Sequence, residues 1–487
     1  MRFNSLTPKL PEYHGPYAVG TVEVEIPAPW PATYEHIGAT VETLLFRVFY
    51  PASYSADTKL EHPFWFPENR KEYIKNYITF LGRSERLANL LSLVPFIPNI
   101  VLSGYSNLAL LDPPEGHKWP VVFFSHGLGG TRNAYSQYCG SLASHGHVVI
   151  APEHRDFTAP VTYVTDFETG VKKEVKYRRL FEFDDVLRIL RTFQLTMRTR
   201  EIISLRKILL DEKRELIPIG GDKPIEFNWQ NVDTTMENVI FSGHSFGAAT
   251  CVAIIKGVYN FLEFLYRHDN GTTRSNQTGK EIAPDFAKPV DRFDEFLRPQ
   301  PAKSLILLDP WLIPLYESMG IPLTVPTISI LSEAFYKWDQ NLNLVYQLLS
   351  NSACPPGTVP PKKRHLFLTR PSAHHSQSDF ALLFPSLTKY GFNLPECTFE
   401  TQTAVMNMNV RGCLEFLRDQ GVTSFDNVET DDKSEGLVRS LSREAANDDE
   451  NTIISKGYLV ADGQIQGWTR LDFKDDVSVV DILEGNI

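Results

Sequence analysis

The stretch Glu237–Thr250, E-N-V-I-F-S-G-H-S-F-G-A-A-T, decides the fold, because it runs from a strand into a helix through a turn with Ser245 at its apex. Val239 to Ser242 is short and apolar, and the residues after Ala248 are small and then helix-compatible through Val252, Ala253, Ile254 and Ile255. The pattern Gly243-x-Ser245-x-Gly247 therefore sits at a strand-to-helix junction, the setting that a nucleophile elbow demands. Both glycines have a steric reason. A serine in a strained tight turn leaves no room for a side chain two positions away, where strand and helix pack together. Ordinary glycine turns share the pattern, so the rest of the chain must supply the partners.

Upstream, a strand at Pro120–Ser125, a loop at His126–Gly130, a helix at Asn133–Ser144 and a strand at His147–Ala151 make a βαβ unit and hence a parallel sheet. The loop, S-H-G-L-G-G, lies at the carboxyl end of its strand, where open α/β sheets bind ligands. Its glycines let backbone N–H groups face a site. Beside a nucleophile elbow, the N–H of Leu128 is one expected oxyanion donor and that of Phe246 the other. A phosphate-cradling reading fails, because the loop lacks the P-loop lysine and the spacing of a dinucleotide fingerprint.

Downstream, three strand-like runs each lead to titratable residues. Lys303–Leu308 ends at Asp309, Thr327–Leu331 at Ser332 and Glu333, and His365–Thr369 just before His374 and His375. A serine hydroxyl needs a general base within reach and a carboxylate that holds this base in the right tautomer. The chain order for such a fold is nucleophile, acid, histidine. Asp309 and Glu333 both satisfy it as acids, and His374 and His375 both satisfy it as bases. His126 and His244 flank the expected donors and are read as orienting loops; His154, in E-H-R-D, precedes the serine.

The remaining segments surround this core. Strands are expected at Thr21–Ile26 and Thr43–Tyr50. Between 64 and 104, Tyr73, Tyr77 and Phe80 recur at helical spacing, which reads as a core-facing helix or as a lid resting at a lipid interface. A hairpin is expected within 157–180, then a helix at Glu182–Met197 with Val186, Ile189, Leu190 and Phe193 on one face and an acidic first turn, then charged, helical-looking residues at 200–216. Residues 266–300 read as a polar surface insertion with Asn-x-Thr triplets at Asn270 and Asn276, and Thr403–Gln420 as a helix. From Thr430 acidic and polar residues dominate. The expected organisation is one catalytic domain over 1–429, with its core at about 115–425, and a flexible acidic tail over 430–487 with a terminal hairpin around Asp462-Gly463.

Totals narrow the classes. Apolar residues are 42% and charged residues 22% of 487, which excludes a disordered chain, and a net charge of −11 argues against nucleic acid or an anionic membrane surface as partner. Five scattered cysteines without C-x-x-C spacing give neither a disulfide framework nor a zinc site. Met1–Tyr17 lacks an apolar signal core, and the apolar run Leu90–Leu102 is broken by Pro95 and Pro98, so a cytoplasmic protein without a membrane span is expected.

Eight motifs run in order along the chain: G-P-Y-A-V-G at Gly15, F-S-H-G-L-G-G-T-R at Phe124, L-A-S-H-G-H-V-V at Leu142, E-H-R-D at Glu153, G-H-S-F-G-A-A-T at Gly243, L-L-D-P-W at Leu307, S-E-A-F at Ser332 and H-H-S-Q-S-D-F at His374. Together they resemble those of the platelet-activating factor acetylhydrolase family of α/β-hydrolases. The resemblance implies an α/β-hydrolase fold with Ser245 as nucleophile, Asp309 as acid, His374 as base, and Leu128 and Phe246 as backbone donors. It also implies a calcium-independent enzyme without cofactor or metal, which removes short or oxidised acyl groups from the sn-2 position of phospholipids. The chain departs from the family where Gly247 is followed by Ala248 and His374 by His375.

Overall fold

The computed structural model describes residues 7–34, 39–94, 96–179, 185–258, 295–321, 323–350, 364–391, 397–422 and 468–471. Its centre is an eleven-stranded sheet. β1 (Val19–Tyr34) and β2 (Ala39–Ser53) form a long antiparallel pair, with Val22 opposite Val48 and Ile26 opposite Leu44. Their register shifts between Pro27 and Ala32, where Pro27, Pro29 and Pro31 remove ladder donors. Both strands outrun their expected lengths. The short β3 (Tyr105–Ser106) and β4 (Ala109–Leu110) pair with β1 and β2.

The parallel core consists of β5 (Val121–Ser125), β6 (Val148–Pro152), β9 (Ile240–His244), β10 (Ser304–Leu308), β11 (Thr327–Leu331) and β12 (Arg364–Thr369), separated from β7 (Val161–Thr165) and β8 (Lys172–Lys176), which form their own hairpin. The order β12-β11-β10-β9-β5-β6-β2-β1 puts the elbow strand β9 between β5 and β10. Every residue of β5, β9, β10 and β11 is buried, the pattern of strands covered on both faces. Alternation divides them. Val121, Phe123, Phe241, Leu305 and Leu307 face one apolar layer, and Val122, Phe124, Ile240, Ile306 and Leu308 face the other.

Helices fill both layers. α1 (Arg70–Phe80), α3 (Ser136–Ser144) and the helix Phe399–Asp419 contribute to one face. α4 (Asp185–Arg206) and α5 (Phe246–Lys256) contribute to the other. α2 (Glu85–Ser92) follows α1 and starts on Ser84, whose hydroxyl accepts from the Leu87 N–H. This is an α/β-hydrolase architecture: a mostly parallel sheet flanked by helices.

Three differences from the expected elements have physical causes. α4 runs on past Met197 to Arg206 into the charged, helical-looking stretch, and its Arg198, Glu201 and Arg206 are buried. β13 (Trp468–Arg470), from the stretch read as a tail, pairs antiparallel with β12 and covers that edge of the parallel sheet. Phe296 and Leu297, at the end of the stretch read as a polar insertion, are buried, and Phe296 packs on Trp30 at 5.3 Å. Asn270, Asn276, Cys354 and the Asp462-Gly463 turn lie outside the described residues. Cys139, Cys251, Cys397 and Cys413 are buried free thiols. No helix among the described residues is long and apolar enough to cross a membrane.

Candidate active site

Ser245 occupies the turn between β9 and α5 with φ 56° and ψ −118°, a region that costs a side-chain-bearing residue roughly 1–3 kcal/mol. The surroundings enforce it. Its N–H donates to the Leu308 carbonyl at 2.9 Å, and its carbonyl accepts from the Trp311 N–H at 3.2 Å, so the elbow is tied to the end of β10. A Cβ on Gly243 would lie 2.5 Å from the Gly247 carbonyl carbon, and one on Gly247 would lie 1.9 Å from the Ser125 carbonyl oxygen. Neither position tolerates a side chain.

Asp309, fully buried with φ 44°, follows β10 directly. Its Oδ1 accepts from the Ser332 N–H at 2.6 Å and its Oδ2 from the Ser332 hydroxyl at 2.6 Å. Oδ2 also accepts from His374 Nδ1 at 2.9 Å, which places the His374 proton on Nδ1 and leaves Nε2 as a lone pair. The His374 ring stacks on Phe335 at 4.3 Å and 10° and lies 4.3 Å from the His244 ring, next to Ser245 in the chain. Of the alternatives open in the sequence, the structure joins Asp309 to His374. Glu333 pairs instead with Lys337 at 3.3 Å, and burial drives the His375 imidazole down to about 3.

The loop of Leu128 lies against the elbow, since a Cβ on Gly127 would be 3.0 Å from the Ser245 Cβ. Phe246 opens α5, and the first N–H groups of a helix have no intrahelical acceptor. Above the loop Phe80 of α1 covers Gly129, where a Cβ would meet the ring at 2.4 Å, and packs edge-on against Tyr177 at 4.7 Å. Of the two expected readings of the aromatic helix, the structure shows the core-facing one at Tyr73 and Tyr77, which are buried.

His126 and His244 are both buried and hydrogen-bonded to neighbouring loops: His126 to the Gly127 carbonyl and the His154 N–H, and His244 to Tyr135. Burial pushes both imidazoles well below the ordinary range, aided by Arg198 for His126 and by His374 for His244. The Tyr135 hydroxyl accepts from the Gly127 N–H at 3.2 Å and so donates to His244 Nδ1 at 2.7 Å. Asp379, in the H-H-S-Q-S-D-F motif, holds the histidine loop to α3 and to the segment before α1. Its carboxylate accepts from Ser136 N at 3.0 Å, Ser136 Oγ at 2.6 Å, Gln137 N at 2.9 Å and Trp65 Nε1 at 2.8 Å. Burial raises it to about 6 against the pull of these donors.

Sequence reasoning missed Ser332, Tyr135 and Phe335, although Ser332 and Phe335 open and close the S-E-A-F motif. It also missed Arg198 and Glu201, whose only signal is a helix too rich in charge for its buried setting. Among the described residues, His244, Asp309 and His374 have ligand atoms within 4.8 Å of one another. Their hydrogen bonds already commit these groups: Asp309 to His374 and Ser332, and His244 to Tyr135.

A strained serine between a parallel strand and a helix, beside a histidine bonded to a buried aspartate at the same sheet edge, defines an α/β-hydrolase. The chain belongs to the family described as platelet-activating factor acetylhydrolase, isoform II, whose model matches residues 3–441. It is 28% identical over 470 residues to a "Putative phospholipase A2" of Schizosaccharomyces pombe, covering 89% of this chain and 96% of that protein. It is 25% identical over 377 residues to the platelet-activating factor acetylhydrolase of Cavia porcellus, covering 76% and 69% respectively. Among solved structures it is similar to a ferulic acid esterase from Streptomyces cinnamoneus, with a TM-score of 0.42 and 13% identity, covering 84% of this chain and 91% of that one.

Proposed function

We propose that the chain hydrolyses the sn-2 short-chain or oxidised acyl ester of phospholipids such as platelet-activating factor, with Ser245 as nucleophile, His374 as general base and Asp309 as its orienting acid. The hydrogen bond from His374 Nδ1 to Asp309 Oδ2 carries this reading, because it leaves Nε2 free to take the serine proton. Ser245 Oγ adds to the ester carbonyl while its proton passes to His374 Nε2, and the carbonyl electron pair moves onto oxygen. The N–H groups of Leu128 and Phe246 receive that oxyanion, each worth about 3 kcal/mol. The imidazolium is met by the Phe335 ring face, a cation–π contact, and by Asp309. It then protonates the departing lysophospholipid oxygen as the C–O bond breaks, leaving an acyl-enzyme. Water, giving its proton to His374, releases the carboxylic acid and restores Ser245.

The same reading includes contact with a lipid surface. Leu87, Leu90 and Leu93 are exposed along and just after α2, which follows Phe80 in the chain. Apolar side chains in such a row gain by entering the acyl boundary.

The test is hydrolysis by wild type and Ser245→Ala of three substrates: an sn-2 acetyl phospholipid, its long-chain diacyl counterpart and a water-soluble short-chain ester, with the lipids above and below their micelle concentration. The expected result is cleavage of the acetyl lipid, little of the diacyl lipid, and loss of both activities in the variant. Cleavage of the soluble ester alone would overturn the lipid assignment, and full activity in Ser245→Ala the nucleophile.

A further inference from the structure

The hydrogen bonds around the oxyanion loop fix the direction of one peptide plane. The His154 N–H donates to His126 Nε2 at 3.1 Å. A backbone N–H can only donate, so Nε2 is the unprotonated nitrogen and the ring proton is on Nδ1. His126 Nδ1 lies 2.9 Å from the Gly127 carbonyl oxygen and donates to it. The same oxygen accepts from the Gly130 N–H at 3.1 Å. In a trans peptide the carbonyl and the following N–H point in opposite directions, so anchoring the Gly127 oxygen on two donors turns the Leu128 N–H the other way. Gly127 itself lies against Ser245.

The backbone of this loop is held from α4. Arg198 is fully buried; its Nη1 donates to the His126 carbonyl at 2.6 Å, its Nε to Asp156 Oδ2 at 2.7 Å and its Nη2 to Thr158 Oγ1 at 2.5 Å. The Thr158 carbonyl in turn accepts from the Gly129 N–H at 2.8 Å. The guanidinium also lies 4.7 Å from the centre of the Phe246 ring. One buried cation thus touches the loop of the first oxyanion donor and the residue carrying the second. A charged His126 would set an Nε2–H against the His154 N–H, donor against donor, and burial together with Arg198 opposes that state.

We propose that His126 and Arg198 are positioning residues that aim the Leu128 N–H at the carbonyl oxygen undergoing attack. The proposal rests on the serine-esterase reading above. His126 acts through the Gly127–Leu128 peptide, and Arg198 acts through His126 and Thr158. Neither touches the substrate.

The test uses the full chain, with a fluorophosphonate to count reactive Ser245, a soluble acetyl ester for kcat and KM, and a trifluoromethyl ketone as mimic of the tetrahedral adduct. His126→Asn keeps a donor near the Nδ1 position, whereas His126→Gln moves the polar group outward. The expected kcat loss for His126→Gln is about 100-fold, the effect of losing one oxyanion donor, with KM within about threefold and ketone affinity falling by the same factor as kcat/KM. His126→Asn recovers most of that loss. Arg198→Lys, which keeps the charge but not the fork, supplies a second measurement should His126→Gln fail to melt cooperatively, and loses about tenfold in kcat with the same proportionality. If His126→Asn and His126→Gln are equally impaired, or kcat falls while ketone affinity is unchanged, the proposal is overturned. Failure of the wild type to label at Ser245 would instead remove the underlying esterase reading and this proposal with it.

Discussion

The proposed Ser245–His374–Asp309 set at the rim of the sheet has a buried counterpart beneath it, and their surroundings distinguish the two. In the buried set Ser125 Oγ lies 2.8 Å from His154 Nε2, and His154 Nδ1 lies 2.6 Å from Glu201 Oε2, with no member appreciably exposed. At the rim His374, 27% exposed at its side chain, bonds to Asp309, and Ser245 sits at the strained elbow. The proton runs in opposite directions. Burial raises Glu201 to about 8 and lowers His154 well below its ordinary range, so at neutral pH Glu201 donates to Nδ1 and Nε2–H donates to the Ser125 oxygen. That serine accepts a proton where a nucleophile must give one. At the rim the Ser332 N–H and hydroxyl hold Asp309 as an acceptor, so His374 keeps its proton on Nδ1 and leaves Nε2 as a lone pair. Hydrogen-bond geometry alone does not make a nucleophile; the protonation of the acid and access to the substrate decide.

The largest effect separates the two serines. Ser245→Ala is expected to lower kcat by roughly 10⁴ to 10⁶, whereas Ser125→Ala stays within about tenfold and costs about 1 kcal/mol of stability. Steady-state kinetics and melting curves on both variants check this, and mass spectrometry of the fluorophosphonate adduct should find position 245 alone. A Ser125→Ala variant as dead as Ser245→Ala would break the comparison.

Next come the two acids. Asp309→Asn is expected to cost about 10⁴ in kcat, because an amide donor opposite Nδ1 favours the wrong tautomer. Glu201→Gln should be nearly silent. The amide N–H replaces the acid O–H toward His154, and the amide oxygen can still accept from the Arg155 N–H, which lies 3.2 Å from Oε1. Rates of both variants at neutral pH decide it, and equal losses would show the buried acid to be ionised.

These contrasts also mark how far the sequence could be read. Gly243 and Gly247 announced the elbow because steric exclusion leaves a residue-type signature, and the apolar runs ending at Asp309 and before His374 announced the sheet edge that unites them. Arg198 and Glu201 were illegible for the opposite reason. A buried polar side chain is compensated by partners far away in the chain, here Asp156 for Arg198 and His154 for Glu201, and composition does not show such pairings. Ser332 was passed over because its role, donating to Asp309 from the next strand, depends on the β10–β11 register. The pairing of β13 with β12 was not legible, because a hairpin expected around Asp462-Gly463 says nothing about joining the far edge of the sheet and three residues carry little pattern of their own.

A smaller effect appears in stability against pH. Glu201 has a folded value near 8 against an ordinary value of 4.5, so the folded chain holds a proton that the unfolded chain has already released between these limits. The unfolded state binds fewer protons there, and this group's contribution to stability falls as pH rises through the window. Glu201→Gln removes that slope. Melting temperatures measured from pH 5 to pH 9 should therefore decline less steeply in the variant, the two curves diverging toward the alkaline end; parallel curves would mean that Glu201 is already ionised at pH 5.

A modest change in activity is predicted for Tyr135, which connects the Gly127 loop to the rim. Its hydroxyl takes the Gly127 N–H and gives its own proton to His244 Nδ1, and the His244 ring lies 4.3 Å from that of His374. Tyr135→Phe keeps the ring contact with Phe124, at 4.9 Å, but leaves a buried N–H and a buried ring nitrogen without this partner. Such groups cost about 1–3 kcal/mol each when unsatisfied, so the melting temperature should drop while the fold persists. Activity should fall only about three- to tenfold, in kcat and not in KM, because Phe335 still holds the other face of His374 and Asp309 still fixes its tautomer. A loss comparable to that of Asp309→Asn would mean that His244 sets the state of His374, and that the rim depends on buried polar groups as fully as the set around Glu201 does.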